Sequence, residues 1–253
     1  MFCSKFKTGL LVAAALGCSS GAALASVVVH ESFAYADGAL AGNSGGFGFG
    51  GTWTGSGTVA GGVGTLVAGQ LNTRNLAAAI VPTAGQSFFL SLRLSADPSA
   101  IAFDYAGLAL LSGGNDRLFF GMPFERNVYG IGINGFATVN SAVVASTTPS
   151  YLVAQVLFNT VSTLTINLYI DPVGPLGVAN ATYTGSVLGG NLDQLRIVNN
   201  NSRSTFDDIV IGTTLADVYR PAAASVPVPA TLALAGLGLA LMSMRSARRR
   251  GAN

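Results

Sequence analysis

Cysteine and histidine are almost absent from this chain of 253 residues. Both cysteines, Cys3 and Cys18, lie near the N-terminus, and His30 is the only histidine. Residues 26–225 therefore contain no cysteine for a disulfide framework, and they lack the ligands for a zinc site of the Cys₂His₂ type. We expect this part of the chain to be held together by its core alone.

Charged residues are also scarce, at 9% of the chain. The formal net charge of +2 is misleading, because both lysines and four arginines lie outside residues 26–225. Within those bounds, seven arginines stand against eleven acidic residues, which gives a net charge of −4. This balance argues against the binding of nucleic acid, or of an anionic membrane, through charge.

The remaining composition favours β-structure. Half of the chain is apolar, and it contains 33 glycines. About 200 residues remain between the two ends, which is enough for one domain with a real core. Many valines, leucines, threonines and serines then predict an all-β domain over residues 26–220.

The N-terminus has the three parts of a secretory signal peptide. A basic start precedes the apolar stretch Gly9–Gly17, and the small residues Ala23 and Ala25 follow it. This order predicts a signal peptide over residues 1–25, cleaved after Ala25 and exported through the Sec translocon. Lipoprotein processing at Cys18 is the alternative, and the residues before Cys18 match that pattern poorly.

The C-terminal tail consists of a proline-rich linker over residues 221–230 and an apolar segment over residues 231–250 that ends in arginines. The proline-rich motif is Val226, Pro227, Val228, Pro229 and Ala230. The basic cluster comprises Arg245, Arg248, Arg249 and Arg250. The apolar part predicts a short hydrophobic helix, and the arginines would stay on the cytoplasmic side with the bulk of the chain outside.

This tail resembles the PEP-CTERM sorting signal of Gram-negative bacteria, although Val228 stands where that family usually has glutamate. The resemblance implies transient insertion in the inner membrane and processing by an exosortase at the proline-rich motif. It also implies a final location at the cell surface or in the extracellular matrix. The alternative is an ordinary membrane anchor that is kept.

The central part of the chain reads as many short strands. Ser87–Ser95 and Thr163–Ile170 alternate between apolar and polar residues, as half-buried strands do. Further strands are predicted at Val27–Val29, Gly64–Val67, Asn75–Val81, Gly107–Ser112, Arg117–Gly121, Val128–Ile133, Ala142–Ala145, Tyr151–Phe158, Leu195–Val198 and Phe206–Gly212, with a helical turn near Thr214–Tyr219. Ten or more strands with frequent turns indicate a single β-sandwich or jelly roll.

Three segments resemble the strand edges of concanavalin A-like (LamG-type) jelly rolls. They are Glu31–Gly42, Asn167–Pro172 and Phe206–Gly212. The resemblance implies the same fold and allows a lectin-like activity.

Aromatic residues are the first candidates for a binding site. Trp53 and Tyr169 could stack on sugar rings, and Trp53 lies in a stretch from Gly42 to Gly64 that contains eleven glycines. A lone tryptophan in a sandwich is more often part of the core. The aromatics in this stretch favour a packed irregular loop over a disordered linker.

Asp207 and Asp208 are the second candidate. Neighbouring residues on a strand point to opposite faces, and Asn199–Ser202 just before them could add the oxygen ligands that Ca²⁺ takes. The alternative is a polar turn that enters the last strand. The sequence suggests no other cofactor.

The motifs of common enzymes are incomplete. Gly42–Gly46 fits G-x-S-x-G but lacks the flanking strand, helix and downstream histidine of a nucleophile elbow. Glycoside hydrolysis needs paired carboxylates, whereas Glu31 and Glu125 are the only glutamates and lie far apart. We therefore expect a non-catalytic protein, and the PEP-CTERM resemblance implies a surface or matrix component associated with exopolysaccharide. A carbohydrate-binding module and a polysaccharide-active enzyme are the alternatives.

Overall fold

The computed structural model describes residues 27–97, 105–124, 127–135, 137–187, 189–200 and 203–219. The predicted signal peptide, sorting motif, hydrophobic segment and arginine cluster lie outside these residues. Within the ranges given, no helix is long and apolar enough to cross a membrane.

The described residues form sixteen strands and one short helix. They are β1 (Val27–Glu31), β2 (Gly38–Ala39), β3 (Thr54–Gly55), β4 (Thr58–Ala60), β5 (Val63–Val67), β6 (Gln70–Ile80), β7 (Ser87–Ala96), β8 (Ala106–Ser112), β9 (Asn115–Met122), β10 (Val128–Ile133), β11 (Ala137–Val144), β12 (Ser150–Phe158), β13 (Thr163–Ile170), β14 (Ala181–Ser186), β15 (Leu192–Asn199), β16 (Arg203–Gly212) and α1 (Leu215–Val218).

Two antiparallel sheets make up the fold. The nine-stranded sheet has the order β14-β13-β12-β7-β16-β5-β4-β2, and β1 also pairs with β16. The seven-stranded sheet has the order β11-β10-β9-β8-β15-β6-β3. The first and last long strands thus pair within one sheet, and the predicted all-β sandwich is confirmed.

The core lies between the two sheets, where alternate residues of each strand meet. On β7, Leu90, Leu92 and Leu94 are fully buried, and on β9 Leu118 and Phe120 are buried opposite them in the same cluster. The intervening residues of each strand face away from the core, because side chains alternate along a strand. Each sheet therefore has an outer face, and the candidate sites lie there.

Two hairpins join strands that the sequence predicts. Strands β12 and β13 pair in register from Leu152 opposite Ile170 to Phe158 opposite Leu164. Strands β8 and β9 pair around a two-residue turn, Gly113-Gly114, in which both residues have positive φ angles of 56° and 80°. That geometry is the one that a tight hairpin turn requires, and glycine adopts it without strain.

Some strands were missed or misplaced by the sequence analysis. Strand β14 (Ala181–Ser186) was not predicted, because its sequence ATYTGS has a single large apolar residue, Tyr183. Strand β11 begins at Ala137 rather than at Ala142, and β6 begins at Gln70 rather than at Asn75. The helical turn predicted near Thr214–Tyr219 is present as α1.

The glycine-rich stretch after β2 is a packed loop, as predicted, and Arg74 on β6 holds it in place. The Arg74 guanidinium donates hydrogen bonds to the carbonyl oxygens of Ser44 (2.8 Å), Gly45 (2.6 Å) and Gly51 (2.8 Å). It also lies 4.2 Å from the centroid of the Phe49 ring. The loop therefore gains its order from a side chain on a neighbouring strand.

Candidate functional site

The outer face of the seven-stranded sheet carries a groove centred on Phe119, which we call the outer groove. Its lining includes residues of β9, β10, β11 and β15, and β8 lies between β9 and β15 in the sheet. Phe119 lies opposite Ala109 on one side and Gly132 on the other, and Ala109 lies opposite Arg196. Residues directly opposite each other in a ladder project from the same face, so this row crosses the floor of the groove.

The next row along the same face consists of glycines. Gly107 pairs with Gly121, and Gly121 pairs with Gly130. A Cβ atom on Gly107 would lie 2.5 Å from Cζ of Phe119, and a Cβ atom on Gly132 would lie 3.1 Å from its Cβ. The Phe119 ring therefore leans across positions where no side chain fits. Glycine in a strand interior commonly marks such a close approach.

Aromatic rings close one end of the outer groove. Tyr105 and Phe124 stack with their centroids 4.7 Å apart and an interplanar angle of 24°. The Phe124 side chain is 42% exposed. Both rings line the groove beside Pro123, so this end presents an apolar platform to solvent.

Polar side chains line the other end. Arg196 donates a hydrogen bond to Asp116 as part of an ion pair, and both side chains are partly exposed. Oδ1 of Asp116 and the Nε atoms of Arg117 and Arg196 have no hydrogen-bond partner in the part of the chain that the structure describes. Buried polar atoms are normally paired, so this end has unused capacity for hydrogen bonds.

The dimensions of the groove limit what it can hold. Its volume is about 120 Å³, well below the ~300–1,000 Å³ of pockets that engulf a small ligand. Strand β9 runs along it from Asn115 to Met122, a length of roughly 25 Å at ~3.3 Å per residue. The groove is therefore too small to enclose a drug-sized ligand, and its lining between Asp116 and Phe124 can contact part of a larger ligand.

Trp53 is a core residue in the structure. It is 1% exposed, its ring stacks on Phe33 with centroids 6.0 Å apart, and its Nε1 donates a hydrogen bond of 2.9 Å to Glu31. A ring in this position has no free face for a sugar. The core alternative for Trp53 therefore fits the structure, whereas the sugar-stacking interpretation does not.

Glu31 is the residue around which this part of the core is organised. Its carboxylate accepts hydrogen bonds from the backbone N–H of Phe33 (2.8 Å), the hydroxyl of Tyr35 (2.7 Å), Trp53 and Arg74 (3.1 Å). Its side chain is 1% exposed. Burial and the neighbouring carboxylate raise the pKa of Tyr35 to about 12. Glu31 is thus committed to structure and is not open to a substrate.

Tyr169 is also buried, at 9% exposed, and packs with Val153, Val218 and Tyr219. It lies on the outer face of the nine-stranded sheet, where α1 covers that face. Its ring packs against these side chains and presents no free stacking surface.

Asp207 and Asp208 occupy a β-bulge. Asp207 pairs with Arg93 on β7, the register then shifts, and Asp208 has a φ angle of 47°. Arg93 Nε donates a hydrogen bond of 2.9 Å to Oδ2 of Asp208. The expectation that the two side chains point to opposite faces is wrong, because the bulge adds a residue and brings both carboxylates to the side of Arg93.

The suggested calcium site gains no support from this geometry. Oδ1 of Asp207 accepts the backbone N–H of Asp208, and the Asp208 carboxylate is paired with a guanidinium. Burial raises the pKa of Asp207. Asn199 is fully buried and donates to the carbonyl oxygen of Leu66. The described residues contain no group of three or more acidic, histidine or cysteine side chains that could hold a metal ion.

The outer groove was not predicted, although the sequence carries a signal for it. Phe119 occupies a position of β9 that alternates with the core residues Leu118 and Phe120, where a polar residue is usual. Gly107, Gly121 and Gly130 occupy the corresponding outward positions of three neighbouring strands. This pattern becomes visible only once the pairing register is known.

No known protein family matches the chain, and no curated protein does. Several solved structures are similar to it. Domain 4 of AbnA, a GH43 extracellular arabinanase from Geobacillus stearothermophilus, in complex with arabinotriose, has 14% identity and a TM-score of 0.45, covering 77% of this chain and 97% of that one. The Emp47p carbohydrate recognition domain has 12% identity and a TM-score of 0.43, covering 74% and 97%. An endo-β-1,4-glucuronan lyase from the fungus Trichoderma reesei has 14% identity and a TM-score of 0.44, covering 66% and 89%. Similarities this weak assign neither ligand nor activity to the chain.

Proposed function

We propose that this protein is an exported, non-catalytic component of the cell surface or extracellular matrix that binds a polysaccharide chain in the outer groove. The observation that carries the proposal is the Phe119 ring, which lies across a glycine floor between an aromatic pair and an ion pair. A sugar ring has apolar C–H faces and polar edges. The groove offers the Phe119 ring to the apolar face of a sugar and charged hydrogen-bonding groups to its polar edge.

The shape and charge of the groove favour this ligand class. A groove of about 120 Å³ is too small for a drug-sized ligand but can contact one or two units of a longer chain. The net charge of −4 between residues 26 and 225 opposes nucleic acid. The described lining carries Asp116, Arg117 and Arg196, a net formal charge of +1, which does not oppose a neutral saccharide.

A glycan array tests the binding. We expect the purified protein to bind a subset of oligosaccharides and Phe119→Ala to lose that binding. Phe47→Ala is the matched control, because Phe47 is 61% exposed but lies far from the groove in the loop that pairs with β1. Absence of binding to every glycan, or equal binding by the Phe119 variant, would refute the proposal.

The proposed destination rests on the two ends of the chain. The signal peptide over residues 1–25 directs export, and the motif Val226–Ala230 is the substrate of an exosortase-type enzyme while the apolar segment sits in the inner membrane. Intact mass of the protein from its own host tests this. We expect a species that starts at Ser26 and ends near Pro227–Ala230. A membrane-bound species that keeps Arg250 would identify the tail as a permanent anchor.

A further inference from the structure

A second cleft lies on the opposite side of the sandwich, on the outer face of the nine-stranded sheet. We call it the Arg93 cleft, and it is bounded by Ser91, Arg93, Tyr151, Asp208, Val218 and Tyr219. Its volume is about 550 Å³, which is within the ~300–1,000 Å³ typical of ligand pockets. It is thus larger than the outer groove and separated from it by the whole core.

The bulge in β16 places Asp208 in this cleft. A left-handed backbone is unfavourable at a residue other than glycine, although aspartate tolerates it better than most. The Arg93–Asp208 ion pair that results is half exposed, with side-chain exposures of 50% and 47%. An exposed pair of this kind stabilises the fold little, because solvent screens the two charges. Bulges commonly re-aim a side chain at a functional position, and here the bulge brings the Asp208 carboxylate to Arg93, which faces outward on β7.

The apolar wall of the cleft is rigid. The rings of Tyr151 and Tyr219 stack with centroids 6.1 Å apart. Tyr151 donates its hydroxyl hydrogen to the carbonyl oxygen of Val218, and the Tyr219 hydroxyl lies 2.9 Å and 2.8 Å from the carbonyl oxygens of Pro172 and Gly174. The wall is therefore organised before any ligand arrives, which lowers the entropic cost of binding.

The charges in the cleft select the class of ligand. Asp208 and Asp217 line it, and Arg93 is the one cationic side chain among its described lining residues. The excess of carboxylate opposes an anion, and the guanidinium already occupies the place that a cation would take beside Asp208. A neutral polyol satisfies both groups, because a hydroxyl can donate to the carboxylate and accept from the guanidinium.

We propose that the Arg93 cleft is a second binding site for a neutral saccharide of one or two sugar rings. The proposal for this cleft is independent of the outer groove. Its consequence rests on the proposed function: with sites on opposite faces of the sandwich, one molecule binds two glycan chains and cross-links them. Binding at two sites on the same matrix would also raise avidity without any new contact.

Calorimetric titration of the purified protein tests the second site, with xylotetraose, cellotetraose, mannotetraose and arabinotetraose as probes. Asp208→Asn keeps the shape and the left-handed backbone but removes the charged acceptor, and Arg93→Gln removes the donor. We expect two sites in the unmodified protein. Each variant of the cleft should weaken one of them by about tenfold or more. Asp37→Asn, an exposed aspartate outside both sites, is the control and should change neither.

The outcomes separate this inference from the proposed function. Loss of one site in Asp208→Asn and of the other in Phe119→Ala supports both. If Phe119→Ala loses all binding and Asp208→Asn binds as the unmodified protein does, the groove is the only site and the inference is overturned. Loss of all binding in Asp208→Asn alone supports the cleft and refutes the groove. No binding of any probe by the unmodified protein overturns the inference for neutral saccharides.

Discussion

Replacing Glu31 by alanine removes the acceptor that four donors share, and we expect it to destabilise the protein severely. The donors are the backbone of Phe33 and the side chains of Tyr35, Trp53 and Arg74. Arg74 would be left as a buried cation without a counter-charge, since its side chain is 2% exposed. Breaking a buried pair by removing one partner costs ~3–5 kcal/mol.

The Arg93–Asp208 pair is the matched control for this prediction. It has a similar distance, 2.9 Å against 3.1 Å, but its side chains are about half exposed. Solvent screens an exposed pair, so Asp208→Asn should cost no more than ~1 kcal/mol. The contrast compares a buried carboxylate that four donors share with an exposed carboxylate that is paired with Arg93.

Urea unfolding measures both effects. The free energy of unfolding comes from linear extrapolation, and with a slope of ~1–3 kcal/mol per molar urea the Glu31 variant should unfold at least ~1 M earlier. Circular dichroism should follow the transition, because the only tryptophan contacts the mutated site. The double variant Glu31→Ala with Arg74→Met should lose less than the sum of the single variants. If Glu31→Ala and Asp208→Asn lose equal stability, our view of the Glu31 network is wrong.

Three further predictions concern single positions. Gly107→Ala should lower the free energy of unfolding by ~1–3 kcal/mol through overpacking and should weaken glycan binding, because its Cβ would lie 2.5 Å from Phe119. Gly177 has open space around it, so Gly177→Ala should change neither quantity in the same denaturation and binding assays. Asp207→Asn should raise the free energy of unfolding at pH 7 and have no effect below pH ~4. Burial raises the pKa of Asp207 in the folded state, so ionisation of its carboxyl at pH 7 disfavours folding. Equal effects at both pH values would contradict this. The pKa of Tyr35 is raised from 10.0 to about 12 in the folded protein. Because the unfolded chain then loses this proton more readily than the folded protein, the free energy of unfolding should fall as the pH rises from 10.0 towards 12. Tyr35→Phe should reduce that fall in urea titrations across this range.

Sequence alone predicted the β-sandwich because period-two alternation is a local property of each strand. The spacing of Leu90, Leu92 and Leu94 alone predicts that they share one face of β7, whichever strands pair with it. Strand β14 was missed because its stability comes from pairing with β13, and its own sequence has little apolar alternation.

The candidate sites depended on information that a sequence does not carry locally. The outer groove arises from the register among four strands that are distant along the chain. The common side of Asp207 and Asp208 depends on one extra residue in β16, which reverses the alternation that a regular strand predicts. The burial of Trp53 follows from the general tendency of a lone tryptophan to lie in the core. Its hydrogen bond to Glu31 depends on the fold, because the two residues are 22 positions apart in the sequence.

The most direct test of the account is a map of the glycan contact on the protein itself. In a titration of ¹⁵N-labelled protein with the oligosaccharide bound most strongly on the array, we predict that amide chemical shifts change at Ala109, Phe119 and Gly132, on the floor of the outer groove. Amide shifts that change only on other faces, with those of the groove unaffected, would contradict the central claim that the outer groove binds the polysaccharide.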